Sequence, residues 1–478
     1  MKKEILACLG TMALLVAAAT TVPSAAQVVI VSSPANDSQV SSPVHYVASS
    51  MSSQCSKGIS AMRIYIADHV SAYTITSNSL DTLLPLSPGA YKTVVQAWDN
   101  CGGVGKTPVN ITVTATGLKP ARFLYAPDIY NSKVWGFSVD PSTGRLTATG
   151  QVSVATNTAY RLASDKGGYR LYLTTGIPPQ PSFGSVYAFF TDRRNGYLYQ
   201  VPGSPFRISE YSGAIAVHPS GKFIFVGTFV AQSGDGILIL KVNPDGSLTQ
   251  VNSSPIRTSA TPVWIVIDPW GKYLYVNSQN GALIDAFSID ITSGALTPVP
   301  GSPYVVSTPG CVNPWIMGIG QSYGRFLYTA DEAASAISGF AIAGKTGTIA
   351  ELPGSPWGCP RGDALYPIGL TTEPTGRFLY VMNGTFPAYH ISIYSINGGN
   401  GVLTHVKDAP PLSTYADGWI RTDPSGKFLY ALTGTEGERK DHVTGYAIDP
   451  SNGDLTALPG SPYLIGPTSG AYDLVVTP

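Results

Sequence analysis

The stretch "DPSGKFLY" at 423–430 combines a tight turn with a short strand. Pro424 presets φ for the turn, and Gly426 suits the left-handed position that such a turn needs. The Phe-Leu-Tyr part then places apolar side chains on both faces, which is typical of a strand buried between neighbouring sheets. The stretch recurs along the chain at a long period. Because such a repeat determines the architecture of a protein, this stretch decides the fold. Further copies of the stretch occur at 119–125, 164–172, 218–225, 268–275, 321–328 and 373–380.

The repeat has the length of one four-stranded unit, since the first aromatic residues of successive copies are 46 to 54 residues apart. An apolar segment before each turn, such as "VWIVI" at 263–267, predicts an innermost strand, and the Phe-Leu-Tyr segment predicts the second. A later segment, such as "VTGYAIDPSNGDLT" at 443–456, predicts the third strand, a turn and the fourth. Seven such units predict an all-β fold with a seven-bladed β-propeller over 118–478. The first aromatic residues are Phe123, Tyr169, Phe223, Tyr273, Phe326, Phe378 and Phe428.

The two ends of the repeat region predict how the ring closes. The segment "ARFLYAPD" at 121–128 predicts a second strand with no innermost strand before it. The segment "AYDLVVTP" at 471–478 predicts an innermost strand with no second strand after it. Pairing the two completes one blade and joins the chain ends. The recurring Phe-Leu-Tyr stretch is therefore predicted to be scaffold, a hairpin turn followed by aromatic packing between blades.

The N-terminus predicts export. Lys2 and Lys3 form a positive segment, an apolar run follows at 5–19, and small residues at 24–26 suit a cleavage site. We predict a signal peptide over 1–26, no later membrane span, and a secreted or periplasmic protein.

Residues 27–117 lack the repeat and contain seven short alternating strands separated by turn residues. This pattern predicts an immunoglobulin-like β-sandwich, and the segment resembles the Ig-like modules of exported bacterial proteins.

Four cysteines follow the predicted signal peptide, and an even number in an exported protein favours two disulfides. Cys55 and Cys101 form the first predicted pair. Cys311 and Cys359 are 48 residues apart, nearly one repeat, and are predicted to join two loops on the same end of adjacent blades. The alternative for the second pair is two free, buried thiols.

Composition restricts the function classes. Without Lys2, Lys3 and Glu4 the chain has 27 basic and 28 acidic residues, so it lacks the basic excess of a general nucleic-acid or anionic-membrane binder. The sequence contains no calcium-loop, phosphate-loop, nucleophile-elbow or zinc-protease motif. We expect no cofactor, no metal and a monomer.

The turn stretch, the tyrosine- or phenylalanine-containing third strands and the Pro-Gly-Ser-Pro segments beginning at 202, 300, 353 and 459 resemble the lactonase-type seven-bladed propeller family. This family is similar to bacterial 6-phosphogluconolactonase and to fungal muconate-lactonising enzymes, and the resemblance covers 121–478. It implies a site at the channel mouth, where the loops leading into the innermost strands converge. The resemblance also implies histidine, arginine and glutamate there, since opening a lactone needs a base and an oxyanion donor.

The segments that enter the innermost strands contain no histidine at the expected positions, and His390 is the one histidine predicted near the mouth. Arg421 interrupts an otherwise apolar innermost strand. It either binds a carboxylate or carbonyl of a ligand or pairs with Asp417 or Asp473 in a packed channel. The other predicted rim or channel residues are Glu210, Arg257, Arg361, Asp363, Asp417, Trp264 and Trp419, with Trp315 and Trp357 as further aromatics that either stack on sugars or fill the channel.

Two functions remain open from the sequence. The first is an exported lactonase-like hydrolase that acts on a sugar or aryl lactone at the channel mouth. The second is a non-catalytic extracellular or periplasmic propeller that binds a small molecule or an envelope partner.

Overall fold

The computed structural model describes the chain outside a set of short segments, and it divides the described chain into two compact units. The first contains the chain up to and including Val40, Val44–Leu84 and Ala90–Thr112, and the second contains Val113–Pro478 with the short segments Ser41–Pro43 and Pro85–Gly89. The predicted signal peptide, Cys311 and Cys359 lie outside the description. The segments left out are 1–26, 42–43, 68–69, 85, 87–88, 115–118, 155–158, 177–183, 209–210, 230–234, 252–254, 279–281, 307–313, 321–323, 359–365, 385–388, 413–414, 435–440 and 467–469, together with the side chains of 41, 67, 70, 71, 83, 89, 114, 314, 315, 415 and 417.

The first unit consists of two antiparallel sheets, with strand orders β1-β3-β6 and β2-β8-β7-β4-β5. Side chains alternate between buried and outward positions along its strands, as in β3, where Val44, Tyr46 and Ala48 are buried. Its strands are β1 (Val28–Ser33), β2 (Ser38–Ser41), β3 (Val44–Met51), β4 (Ile59–Ala67), β5 (Val70–Ile75), β6 (Ser79–Leu84), β7 (Gly89–Asp99) and β8 (Val104–Thr114).

The two sheets of this unit share a core. The hydroxyl of Tyr46 in β3 donates a buried 2.9 Å hydrogen bond to Thr93 Oγ1 in β7, which belongs to the other sheet. Cys55 and Cys101 form the predicted disulfide, with their Cα atoms 5.8 Å apart, so this pairing is confirmed.

The second unit contains seven antiparallel sheets, which we number as blades 1 to 7 in chain order. Blade 1 contains β9 (Phe123–Asp128), β10 (Lys133–Val139) and β11 (Leu146–Ser153). Blade 2 contains β12 (Ala159–Ser164), β13 (Arg170–Thr175), β14 (Ser185–Thr191), β15 (Leu198–Gln200) and β16 (Phe206–Arg207). Blade 3 contains β17 (Tyr211–Val217), β18 (Phe223–Phe229), β19 (Gly236–Val242), β20 (Leu248–Gln250) and β21 (Ile256–Arg257). Blade 4 contains β22 (Pro262–Ile267), β23 (Tyr273–Ser278), β24 (Leu283–Ile289), β25 (Leu296–Pro298) and β26 (Tyr304–Val305).

The remaining three blades follow the same order from the innermost strand outward. Blade 5 contains β27 (Pro314–Ile319), β28 (Phe326–Asp331), β29 (Ala336–Ile342) and β30 (Ile349–Glu351). Blade 6 contains β31 (Pro367–Thr372), β32 (Phe378–Asn383), β33 (His390–Ile396) and β34 (Leu403–Asp408). Blade 7 contains β35 (Tyr415–Thr422), β36 (Phe428–Gly434), β37 (Asp441–Ile448), β38 (Leu455–Ala457) and β39 (Tyr463–Leu464). The last strand of the chain is β40 (Val475–Thr477).

The ring closes between the two ends of the repeat region. Strand β40 is the innermost strand of blade 1 and pairs with β9, with Val475 opposite Tyr125. The innermost strands contact one another in sequence from β12 through β17, β22, β27, β31 and β35 to β40, which contacts β12 again. The predicted closure is therefore confirmed. The described residues form no helix, and so none long and apolar enough to cross a membrane.

The aromatic residues of the repeat join each blade to the next. In blade 7 the hydroxyl of Tyr430 donates a 2.7 Å hydrogen bond to the carbonyl of Gly144 in blade 1. Gly144 has φ +71°, and a Cβ atom there would lie 2.5 Å from a ring carbon of Phe428. Both aromatic residues of "DPSGKFLY" thus pack on one glycine of the neighbouring blade. The other tyrosine–glycine pairs are Tyr125–Gly196, Tyr275–Gly347, Tyr328–Gly401 and Tyr380–Gly453.

The turn is held by its first residue. Asp423 Oδ1 accepts hydrogen bonds of 2.8 Å from the backbone N–H groups of Lys427 and Phe428. In blade 3 His218 takes this position, and its Nε2 donates to the carbonyl of Gly271 at 2.9 Å. The acceptor oxygen requires the proton on Nε2. His218 is thus part of the scaffold.

Blade 2 departs from the predicted register. Arg170 lies opposite Phe190, as Phe123 lies opposite Ser138 in blade 1, so Arg170 takes the position of the first aromatic residue. Tyr169, which the sequence pattern assigned to that position, lies in the turn and is 59% exposed. The prediction was one residue off because this turn has the ordinary length, with Asp165 and Arg170 paired as Asp423 and Phe428 are, and Tyr169 stands at the last turn position, where blade 7 has Lys427.

Candidate functional site

A cavity of about 800 Å³ lies inside the ring. It is lined by the middle and the ends of the innermost strands and by the turns that follow them, so it extends toward the end of the ring where those turns lie. Its wall residues near mid-channel are Ala214, Ile215, Ile265, Val266, Met317 and Leu370, and its turn-end residues include Lys166, Pro269, Pro374 and Pro424.

At the opposite limit of this cavity, aromatic and charged side chains meet in a group that we call the channel cluster. It consists of Arg161, Trp264, Trp419, Arg421 and Asp473. The rings of Trp264 and Trp419 are stacked with their centroids 5.7 Å apart. The innermost strands of blades 2, 4 and 7 and the segment before β40 position these residues, so the cluster exists only in the closed ring.

Arg421 forms the ion pair of the cluster. Its Nη2 donates to Asp473 Oδ1 at 2.9 Å, and its guanidinium carbon lies 5.0 Å from the Trp264 ring centroid. It stands opposite Tyr430, as Val266 stands opposite Tyr275, so the charge takes a position that is apolar in blade 4. Burial lowers the pKa of Arg421, Asp473 raises it, and the nearby Arg161 lowers it further. Of the two predicted partners, Asp473 is the one observed, and the Asp417 side chain lies outside the description.

Asp473 is fixed by the backbone of two strands. It is 2% exposed, and its Oδ1 accepts the N–H of Leu474 at 2.8 Å in addition to the Arg421 hydrogen bond. Its Oδ2 accepts the N–H of Leu162 at 3.1 Å. These contacts orient the carboxylate toward the channel cluster and link blade 1 to blade 2.

Arg161 is the functional candidate that sequence reasoning missed. It is 4% exposed, and its guanidinium carbon lies 3.8 Å from the Trp419 ring centroid and 5.3 Å from that of Trp264. Its Nη atoms reach the Tyr472 carbonyl at 3.4 Å and the Tyr160 hydroxyl at 3.5 Å. The available signal was "AYRLAS" at 159–164, where a charge interrupts an innermost strand as Arg421 does.

Other predicted site residues lie away from the channel cluster. His390 begins β33, the third strand of blade 6, and its Nε2 lies 3.9 Å from Asp408 Oδ1 beside a surface pocket lined by Lys407 and Pro410. Arg257 ends β21 at the outer part of blade 3 and is exposed. Trp357 pairs with Ile337 of a third strand.

The remaining candidates cannot be placed in the same way. Glu210, Arg361, Asp363 and the Trp315 side chain lie outside the described residues.

The side chains of the channel cluster limit the chemistry that it can perform. Two guanidinium groups beside a tryptophan face can bind a carboxylate or polarise a carbonyl, because Arg donors match planar oxygen pairs. Among the described residues that line the cavity there is no histidine. The carboxylates of Asp165 and Asp423 accept N–H bonds of their own turns, so among the described acids that line the cavity Asp473 is the one within the cluster.

The seven four-stranded sheets around a channel define a seven-bladed β-propeller. The sequence matches the family described as "Lactonase, 7-bladed beta-propeller" over residues 116–314 and 320–469, and the chain belongs to this family. No curated protein matches the sequence.

Solved structures show the same fold. The periplasmic gluconolactonase of Pseudomonas aeruginosa is 17% identical with a TM-score of 0.61, and the match covers 75% of this chain and 99% of that one. A protein of Bacteroides fragilis provisionally assigned as a 6-phosphogluconolactonase is 19% identical with a TM-score of 0.60, covering 76% and 99%. At such identities the likeness concerns the fold alone.

Proposed function

We propose that this chain is an exported lactonase-like propeller that takes a sugar or aryl lactone into its channel and opens the ring there. The observation that carries the proposal is the ion pair between Arg421 and Asp473 inside the channel, beside the face of Trp264. Membership of the lactonase family supports it. Arg421 is suited to the lactone carbonyl oxygen, because a fixed guanidinium stabilises negative charge that develops there.

The chemistry needs few groups. Water adds to the carbonyl carbon, the ring C–O bond breaks, and a hydroxy carboxylate and one proton result. Asp473 Oδ2 accepts one N–H bond, from Leu162, which leaves a lone pair for a proton of the attacking water. Asp473 Oδ1 meanwhile holds Arg421 at the carbonyl oxygen.

The same proposal includes export of the protein and an Ig-like fold for the first unit. The N-terminal pattern, the Cys55–Cys101 disulfide and the periplasmic location of the P. aeruginosa neighbour support a secreted or periplasmic protein. We infer that the first unit is an Ig-like sandwich, which its two packed antiparallel sheets support. An extracellular setting also argues against 6-phosphogluconolactone as substrate, because that metabolite is cytoplasmic.

A second candidate function is a non-catalytic binding propeller. It is favoured by two observations: no histidine is among the described residues that line the cavity, and Asp473 already accepts three hydrogen bonds. In that case the channel cluster would bind a small molecule without hydrolysing it.

A hydrolysis screen separates the two functions. The purified chain is given aldonolactones and aryl lactones at constant pH, and acid release is followed by titration. We expect turnover that falls at least a hundredfold in Arg421→Ala and in Asp473→Asn, because one removes the oxyanion donor and the other the proton acceptor. Arg194→Ala, whose side chain is 88% exposed, is the matched control. Acid release at the buffer rate in all samples would exclude the lactonase and leave the binding protein.

A further inference from the structure

Arg161 carries a buried charge that no described carboxylate pairs with. Arg421 has Asp473, but among the residues that the structure describes Arg161 forms no ion pair. Its Nε is buried without a hydrogen-bond partner, and its two Nη contacts are long. Removing a charge from water without pairing it is unfavourable. Among the described side chains, two buried arginines beside one carboxylate give a net positive charge at the end of the cavity.

The cavity walls next to the channel cluster are mostly aliphatic. Ile215, Val266 and Leu370 line the cavity together with Trp264. Nearer the turns, the hydroxyls of Thr372 and Thr422 already donate to backbone carbonyls at 3.0 and 2.9 Å. Thr371 also lines the cavity and is half-buried, so its hydroxyl adds one polar group to this wall. A ligand rich in hydroxyl groups would therefore lose its hydration and gain few partners along such a wall. An apolar ligand body would gain by leaving water.

We propose that the channel cluster is a carboxylate subsite in which Arg161 and Arg421 bind the acid group of an aromatic or aliphatic carboxylate. The apolar body of the ligand lies along the aliphatic wall, and the ligand enters from the end where the turns lie. The inference builds on the proposed channel site and narrows its ligand class from sugar or aryl compounds to apolar carboxylic acids. It does not require turnover, because a binding protein would use the same subsite.

Access from the turn end follows from the shape of the cavity. The lining residues run from the channel cluster to Lys166, Pro269, Pro374 and Pro424, all of which lie in the turns after innermost strands. This end is opposite the loops that lead into the innermost strands, where the family resemblance implied a site. A bulky side chain on the wall between the cluster and the turns would therefore block the ligand.

Isothermal titration of the full chain with phenylacetate tests the subsite, with D-gluconate and inorganic phosphate as comparison probes. We expect phenylacetate to bind at least tenfold more tightly than either comparison anion, and Arg161→Met to weaken its binding at least tenfold. Without ligand, Arg161→Met should melt higher than the parent, because it removes an unpaired buried charge and keeps the volume. Unchanged phenylacetate affinity in this variant, or equal binding of D-gluconate or phosphate, would overturn the proposal.

A second set of variants tests the route by which the ligand enters. Thr371→Trp and, as a second wall variant, Ala163→Phe should each weaken phenylacetate binding at least tenfold, whereas Thr404→Trp on the exposed fourth strand of blade 6 should not. Parent-like affinity in both wall variants would overturn access from the turn end. Failure of the lactone screen together with these binding results would reject catalysis while leaving the carboxylate subsite intact.

Discussion

The hydroxyl of Tyr430 donates a 2.7 Å hydrogen bond to the backbone carbonyl of Gly144, although 286 residues separate the two in sequence. This contact joins blade 7 to blade 1. Four other blade boundaries carry the same contact. Through these contacts the repeated stretch joins successive blades into a ring. The closed ring brings Arg161, Arg421 and Asp473 together.

Removing one of these hydroxyls should weaken the ring. In Tyr430→Phe the carbonyl of Gly144 loses its partner in a buried place, so we expect the free energy of unfolding to fall by about 1–2 kcal/mol. Urea denaturation measures it.

Tyr172 supplies the matched control. Its hydroxyl is buried without a hydrogen-bond partner among the described residues, because the facing turn at Asn243–Gly246 closes one residue earlier than the others. Tyr172→Phe should therefore leave stability unchanged or raise it slightly. Equal losses in the two variants would show that the tyrosine–glycine hydrogen bond does not stabilise the boundary.

Glycine at the blade boundary should be needed for space as well as for conformation. Gly144→Ala places a Cβ atom 2.5 Å from Phe428 at φ +71°, and we expect a loss of more than about 2 kcal/mol. Gly203→Ala, at φ +82° with its nearest atom at 3.9 Å, should cost only the conformational strain of about 1 kcal/mol. Thermal melts of the two variants measure this difference in stability. Similar melting temperatures would contradict the packing role of Gly144.

Deleting the last strand should open the ring. Removal of 471–478 takes away β40, exposes the edge of β9 and eliminates Asp473. We expect a large fall in melting temperature or aggregation, since the lost strand contributes several kcal/mol. A melting temperature within about 2 °C of the parent would mean that the blade 1 closure does not stabilise the propeller.

Asp441 should make stability depend on pH. It is 8% exposed, and burial raises its pKa to about 6, with the nearby Asp128 raising it and the Ala471 N–H lowering it. Because the folded pKa exceeds the unfolded value, this group favours the folded state at low pH and loses that contribution as pH rises through about 6. Asp441→Asn should therefore gain roughly 2 kcal/mol over the parent between pH 4.5 and pH 8 in urea denaturation. Parallel pH profiles of the two proteins would contradict the assignment.

Much of the fold follows from the sequence because its signals are local and repeated. The Asp-Pro-x-Gly turn, the Phe-Leu-Tyr strand and the unpaired strands at 121–128 and 471–478 each predict a feature that the structure contains. Blade 2 was placed one residue off, since its aromatic residue Tyr169 stands at the last position of a turn of ordinary length and Arg170 begins the strand.

The candidate site was harder to predict because it forms only when the ring closes. Arg421 was found as a charge in an apolar strand, and Asp473 was recognised as one of two partners. Arg161 was not found, because its contacts are with Trp264 and Trp419, which lie in blades distant from it in sequence. His390 lies at the end of the ring where loops lead into the innermost strands. Because it begins β33, a third strand, it is nevertheless away from the central channel.

The most direct test of the account uses the tryptophans of the channel cluster as reporters. A ligand bound beside Arg161 and Arg421 must lie against Trp264 or Trp419, whose rings stack 5.7 Å apart. We therefore predict that phenylacetate changes the tryptophan fluorescence of the parent protein, and that the change disappears in the Trp264→Phe, Trp419→Phe double variant but persists in Trp135→Phe on the third strand of blade 1. A ligand-dependent change that survives in the double variant and is lost in Trp135→Phe would place the site outside the channel and contradict the central claim.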